Sequence, residues 1–131
     1  MILKDVIAEL STGSSLTALI GARFFEAAPP PDLTQYPCIA LTLVGGSSSD
    51  TIDGADVYDQ RLEISAYALD FPTADAIRTA VIRTLSGWYG PQSDQVNILN
   101  THILNPGTDM VSEDRVFRCL VEFHVLYCVL S

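Results

Sequence analysis

Residues 116–129 alternate as one long strand, and that alternation constrains the fold more than any other feature of the chain. Phe117, Cys119, Val121, Phe123, Val125, Tyr127 and Val129 recur at period two, the spacing of a strand buried along one face. The opposite face carries Arg118, Leu120, Glu122, His124, Leu126 and Cys128, too apolar for free solvent and too charged for a dry core. Such a face suits contact with another protein surface. Strands commonly hold about 5–6 residues, so one of this length is expected to outrun its own sheet, close the chain and present an unpaired edge. Monomers blunt such edges, whereas assemblies use them.

The 131 residues are expected to form a single domain, 1–131, because one core commonly serves roughly 100–150 residues. A hydrophobic content of 48% supplies that core. The formal net charge is −9 and Lys4 is the only lysine. Phosphate-gripping proteins gather Lys and Arg on one face, so no stable nucleic-acid binding is expected. Lys4, Asp5 and Glu9 interrupt the apolar N-terminus before a secretory core could form. Glu122 and His124 break the last apolar run well short of the ~20 residues that cross a membrane. A soluble protein made in a cytoplasm, with no membrane partner, is the expectation.

The three cysteines, Cys38, Cys119 and Cys128, show no CxxC spacing. On one strand, Cys119 and Cys128 would lie roughly 30 Å apart, at ~3.3 Å per residue, and on opposite faces. They read as small buried hydrophobes.

Ile2, Leu3, Val6, Ile7 and Leu10 have helical spacing, and a second short helical turn over 16–20 ends at Gly21. Phe24 and Phe25 lead into Ala27, Ala28, Pro29, Pro30 and Pro31, a stiff spacer that offers few donors to a sheet. Tyr36 and Pro37 open a strand over 38–44. Residues 45–57, rich in Gly, Ser and Asp, read as a polar loop, after which alternation returns over 58–69. There Leu62, Ile64, Ala66 and Ala68 face one way, and Arg61, Glu63, Ser65 and Tyr67 the other. The two strands make a long hairpin. Pro72 starts a helix with Ala74, Ile77, Val81 and Leu85 as its buried stripe, closed at Ser86 and Gly87. A third strand spans 96–104, and Asn105, Pro106 and Gly107 turn the chain into the last one. The expected fold is α+β: a mainly antiparallel four-stranded sheet with helices on one face, in the order α-α-β-β-α-β-β.

Catalytic chemistry has little support. His124 shares a strand face with Glu122, and His102 lies mid-strand, so an acid–base pair is conceivable. A His beside a Glu on a strand is more often a satisfied surface or interface pair. GxSxG, HExxH, Walker and Gly-rich phosphate motifs are all missing. Asp50, Asp53, Asp56 and Asp59 recur every three residues, but calcium loops alternate their oxygens and close with a Glu that is missing here. A solvated loop is the better reading. Trp88 and Tyr89 fit core-edge packing better than ligand stacking. No catalytic, metal or cofactor site is expected.

The order of elements carries a resemblance. An N-terminal helix, a Gly-closed turn before Arg23, Phe24 and Phe25, a Pro-containing link, Tyr36 and Pro37 opening a strand, the strand 61–67, the helix 74–85 and the closing alternating strand resemble the tail terminator, or tail completion, proteins of long-tailed bacteriophages and related prophage particles. The likeness covers almost the whole chain. It implies a structural virion protein: a homohexameric ring that caps the finished tail tube at its head-proximal end and joins it to the head–tail connector. The implied partners are further copies of the chain, the tail tube protein and the connector, with assembly in the bacterial cytoplasm. DNA would pass through the lumen without specific binding, and an acidic wall would repel it rather than hold it. The family has no catalytic residues to carry over. A head-closure or other head–tail adaptor is the alternative, and a small hydrolytic enzyme using His124 and Glu122 a distant one. From side-chain chemistry, the candidate subunit interface is Arg118, Leu120, Glu122, His124 and Leu126. Asp50, Ile52, Asp53 and Asp56, in the long loop, are the candidate partner-docking or lumen residues.

Overall fold

A computed structural model of the chain describes residues 2–50, 56–92, 96–105, 107, 109–111 and 115–129, with backbone alone at 46–50 and 56. Two helices, α1 (Ile2–Leu10) and α2 (Ser14–Ile20), open the chain, and Gly21 closes the second at a φ of 61°. Strand β1 (Phe24–Glu26) follows, then a short 3-10 turn (Leu33–Gln35), β2 (Cys38–Asp50), β3 (Asp56–Ala68) and helix α3 (Phe71–Leu85). Strands β4 (Gly90–Pro91), β5 (Val96–Asn105), β6 (Asp109–Val111) and β7 (Phe117–Val129) complete it.

Local chemistry explains the start of α3. The Asp70 carboxylate accepts from the Thr73 backbone N–H at 2.8 Å, and Pro72 occupies an early position where no N–H is needed. Ala74, Ile77, Ala80, Val81 and Leu85 form its buried stripe. With Ile2, Val6 and Leu10 of α1 and Leu16 and Ile20 of α2, that stripe belongs to one hydrophobic cluster on the inner face of the sheet. The sheet contributes Ile39, Leu41, Leu62, Ile64, Val121, Phe123 and Val125 to the same cluster, so both hairpin strands and β7 bury the face that their alternation selects.

The sheet departs from the expected four antiparallel strands. It has seven strands in the order β1-β2-β3-β7-β5-β4, with β6 also on β7, and β1 runs parallel to β2 while all other pairs are antiparallel. The three additional strands have two or three residues each, too few for alternation to reveal. Their partners hold them. Ala27 N–H donates to Leu41 O and Ile39 N–H to Arg23 O, and this pairing makes Phe24–Glu26 a strand.

Two further expectations are corrected. The hairpin does not open into a loop at 45–57: β2 continues to Asp50, β3 starts at Asp56, and the two residues face each other in the ladder. Gly45, at a φ of 116°, sits in a register shift between Leu43 and Gly46, and the strand resumes beyond it. The low strand propensity of Gly, Ser and Asp is overridden by pairing, since β3 is held along its whole length, Asp56 to Ala68, by β7. Nor is β7 an edge. It lies at the centre, with β3 on one side and β5 and β6 on the other. A long strand outruns its sheet only where its neighbours fall short of it, and β3 matches the 13 residues of β7.

Candidate functional site

The helices cover one face of the sheet, and the other face is the candidate site. Register sets its composition: Asp59, Arg61, Glu63, Ser65 and Tyr67 of β3 stand opposite Leu126, His124, Glu122, Leu120 and Arg118 of β7. All five residues expected at a subunit interface, Arg118, Leu120, Glu122, His124 and Leu126, therefore lie together on this face, and each is half-buried.

Their charges are matched across strands. Arg118 donates to Glu63 Oε1 at 3.0 Å and to Ser65 Oγ at 3.0 Å, and its guanidinium lies 6.0 Å from the Tyr67 ring centre. Arg61 Nε stands 3.5 Å from Glu122 Oε2. His124 Nε2 contacts Asp59 Oδ1, and its ring meets that of His102 edge-on with centroids 4.9 Å apart. The acid that faces His124 is thus Asp59, across the ladder, and Glu122, two residues along the strand, turns to Arg61. Exposed ion pairs of this kind contribute little to stability. They make the face polar enough for water and, with Leu120 and Leu126 between them, apolar enough for a partner.

One end of the face is covered. The Pro-rich link folds over it as more than a spacer: the Tyr36 hydroxyl donates to Pro30 O at 2.9 Å and the Tyr36 ring packs edge-on to Tyr67. Cys38 and Ala40, on this face of β2, are buried there. Burial pushes the Cys38 thiol up to about 11, with Arg23 opposing the shift. Beside the link opens a groove of about 360 Å³ lined by Pro29, Leu33, Tyr36, Tyr67, Met110 and Arg118 among others. Leu33, Met110 and Val111 are exposed at its rim. Sequence reasoning missed this groove, because it joins residues 29–36 to 110–118 through the β6–β7 pairing. The only local signal was an aromatic beside a proline run.

Among the candidate docking residues, Asp50 and Asp56 are partners at the end of the β2–β3 ladder. Ile52 and Asp53 lie outside the described residues. On the helix side of the sheet, beyond Val125, Tyr58 and Tyr127 stack at 5.2 Å and the Tyr127 hydroxyl donates to Gln60 Oε1 at 2.7 Å. Trp88 is buried in the core cluster, as core-edge packing requires, while Tyr89 is 76% exposed. Among the described residues no set of His, Cys, Asp or Glu side chains is grouped to hold a metal, and no helix is long and apolar enough to cross a membrane.

Comparison with known proteins finds both a family model and solved structures similar to the chain. A family model described as "Tail completion protein gp17" matches residues 4–128. A chain from a solved structure of the virion of a native gene transfer agent (GTA) particle superposes with a TM-score of 0.64 at 22% sequence identity, covering 95% of this chain and 92% of that one. No curated protein matches the chain.

Proposed function

The chain belongs to the tail completion protein gp17 family, and from that premise we propose that it is a structural, non-enzymatic virion protein that forms a ring on the finished tail tube and joins it to the head connector. The observation that carries the reading is a family match over 4–128, nearly the whole chain. The open face of the sheet supports it independently. A face of cross-paired charges with Leu120 and Leu126 between them suits a wet contact with a neighbouring copy or the tube, and no buried charge would be stranded when the partner leaves.

In this reading Arg118, Leu120, Glu122, His124 and Leu126 belong to the contact surface, and the hairpin end beyond Asp50 and Asp56, with Ile52 and Asp53, reaches the tube or borders the lumen. A net charge of −9 keeps DNA moving through such a ring, because a wall without clustered Lys and Arg displaces no counterions from the phosphates and so gains nothing by holding them. The test is imaging of particles that carry the tagged protein. A ring at the head-proximal end of the tail is expected, and a single copy per tail, or a location at the distal tip, refutes it. Replacing residues 51–55 by Asn-Gly, a dipeptide that suits a two-residue hairpin, should leave the fold intact and yield tails that fail to join heads. Full rescue of a terminator-deficient particle by the shortened protein removes the docking role.

A further inference from the structure

The outer edge of β2 is open along most of its length. Strand β1 covers it only from Ile39 to Leu41, where the Ile39 N–H donates to Arg23 O and the Leu41 carbonyl accepts from the Ala27 N–H. There the chain leaves the sheet. Ala27 has a φ of 69°, which a residue with a Cβ rarely adopts, and the Ala28 N–H folds back to donate to Glu26 O at 2.8 Å. Pro29, Pro30 and Pro31 follow without an N–H among them, so β1 does not continue along its partner. Beyond Leu41, among the described residues, no segment bonds to the outer edge of β2.

Backbone direction identifies the free groups. The N–H and C=O of one residue point to the same side of a strand, and the side alternates from residue to residue. Since Ile39 and Leu41 point towards β1, Leu43 points outward too. The register shift at Leu43/Gly46 inserts one residue, and Gln60, opposite Gly46, has the parity of Leu62, opposite Leu43. Gly46, Ser48 and Asp50 therefore point outward, while Ser47 and Ser49 point to β3. Proteins that stay monomeric guard such an edge with charges or proline, and residues 42–49 have neither.

Charge selects what can add here. The free stretch runs from Glu26, exposed at the end of β1, to Asp50, which faces Asp56 at the end of the hairpin ladder. Strand β2 has no Lys or Arg, and Arg61, between the register partners of Leu43 and Gly46, turns away from β2 to Glu122 of β7. A second copy is a poor occupant. Its net charge is also −9, and Arg61 and Arg118 of its sheet are already paired with Glu122 and Glu63.

We propose that the β2 edge over 42–50 takes an added strand from a different protein of the particle, an extended segment with an uncharged centre and Lys or Arg at both ends. At ~3.3 Å per residue the gap from Leu41 to Asp50 is roughly 30 Å, so about eight residues lie between the two basic ends. The site is complete in one copy, whether or not copies form a ring. The probe is a synthetic peptide of alternating Thr and Val flanked by Arg, mixed with the isolated protein and followed by amide hydrogen exchange. Exchange at Leu43, Gly46 and Ser48 should slow, and exchange at Ile39, already bonded to Arg23, should not change. A peptide with Glu in place of Arg should bind about ten-fold more weakly at low salt. No slowing by the Arg peptide at millimolar concentration, or equal slowing by both peptides, overturns the proposal. Slowing that grows with protein concentration alone also overturns it, because the occupant is then a second copy. Ser48→Pro removes an outward N–H and should leave the melting temperature in place, whereas Ser49→Pro removes a ladder bond to β3 and should lower it. Equal losses for the two overturn the assignment of the free amides. Assembling particles should exclude the folded Ser48→Pro protein, and its normal incorporation overturns the docking role.

Discussion

Phe123→Ala and Leu120→Ala, three positions apart on β7, give the most direct test of the two-faced sheet. Phe123 is fully buried, between Leu62 and Ile103 in the ladders and within the core cluster. Removing its ring takes away the transfer free energy of the lost carbons and leaves a cavity that the helices above cannot collapse into, at a cost of about 3–5 kcal/mol. Leu120 lies on the other face, opposite Ser65 and half-buried, so its truncation should cost about 1 kcal/mol in the isolated chain. With roughly 2.1 cal/mol/K of unfolding entropy per residue, a chain of 131 residues has about 0.28 kcal/mol/K, so a 4 kcal/mol loss lowers Tm by ~15 °C and a 1 kcal/mol loss by ~4 °C. The assay is thermal and urea unfolding followed by circular dichroism, at a protein concentration where the chain does not self-associate, because association would add its own stabilisation. Equal losses for the two variants, or less than ~1 kcal/mol for Phe123→Ala, would refute the assignment of faces.

Asp70→Ala removes the cap on α3 and should cost about 1 kcal/mol in urea unfolding, with Asp70→Asn retaining most of it. Gly107→Ala should destabilise the protein by about 1–3 kcal/mol, because Gly107 has a φ of 129° and an added Cβ would collide with the Leu120 carbonyl; urea midpoints check this. Burial raises the Cys38 and Cys119 thiols to about 11, from 9.0. The unfolded chain therefore loses these protons first, and the stability they contribute, complete below pH 9, should fall as pH rises from 9 towards 11; a double Cys→Ser variant should lose that dependence in unfolding measured across the window. His124→Ala should fold normally, with less than ~0.5 kcal/mol lost, and loosen assembly at most; a hydrolytic activity abolished by this change would instead support an enzyme.

Period-two and period-3.6 patterns are properties of neighbours in the chain, so the two faces of each long element were legible before any partner was known. Cys119, Val121, Phe123, Val125 and Tyr127 on β7, the inward set Leu62, Ile64, Ala66 and Ala68 on β3, and the stripe Ala74, Ile77, Val81 and Leu85 on α3 are buried as their spacing requires, with Phe117 and Val129 at the ends of β7 partly so. The placement of Arg118, Leu120, Glu122, His124 and Leu126 on a single face followed from the same rule. Tertiary structure decided everything that depends on which segment lies beside which. Propensity at Gly46, Ser47, Ser48, Ser49 and Asp50 argued for a loop, yet these residues form strand because β3, itself backed by β7, offers them a ladder. The short strands at Phe24–Glu26, Gly90–Pro91 and Asp109–Val111 exist through their partners alone. The same holds for the acid against His124: Glu122 was the near choice in sequence, but register turns it to Arg61 and brings Asp59 to the histidine. Edge and centre depend on partners too, since a strand becomes an edge only through the neighbour it lacks, and no residue records its neighbour's absence. Thus β7, which read as the free edge, is the centre of the sheet, and the short strands β1 and β4 lie at its ends.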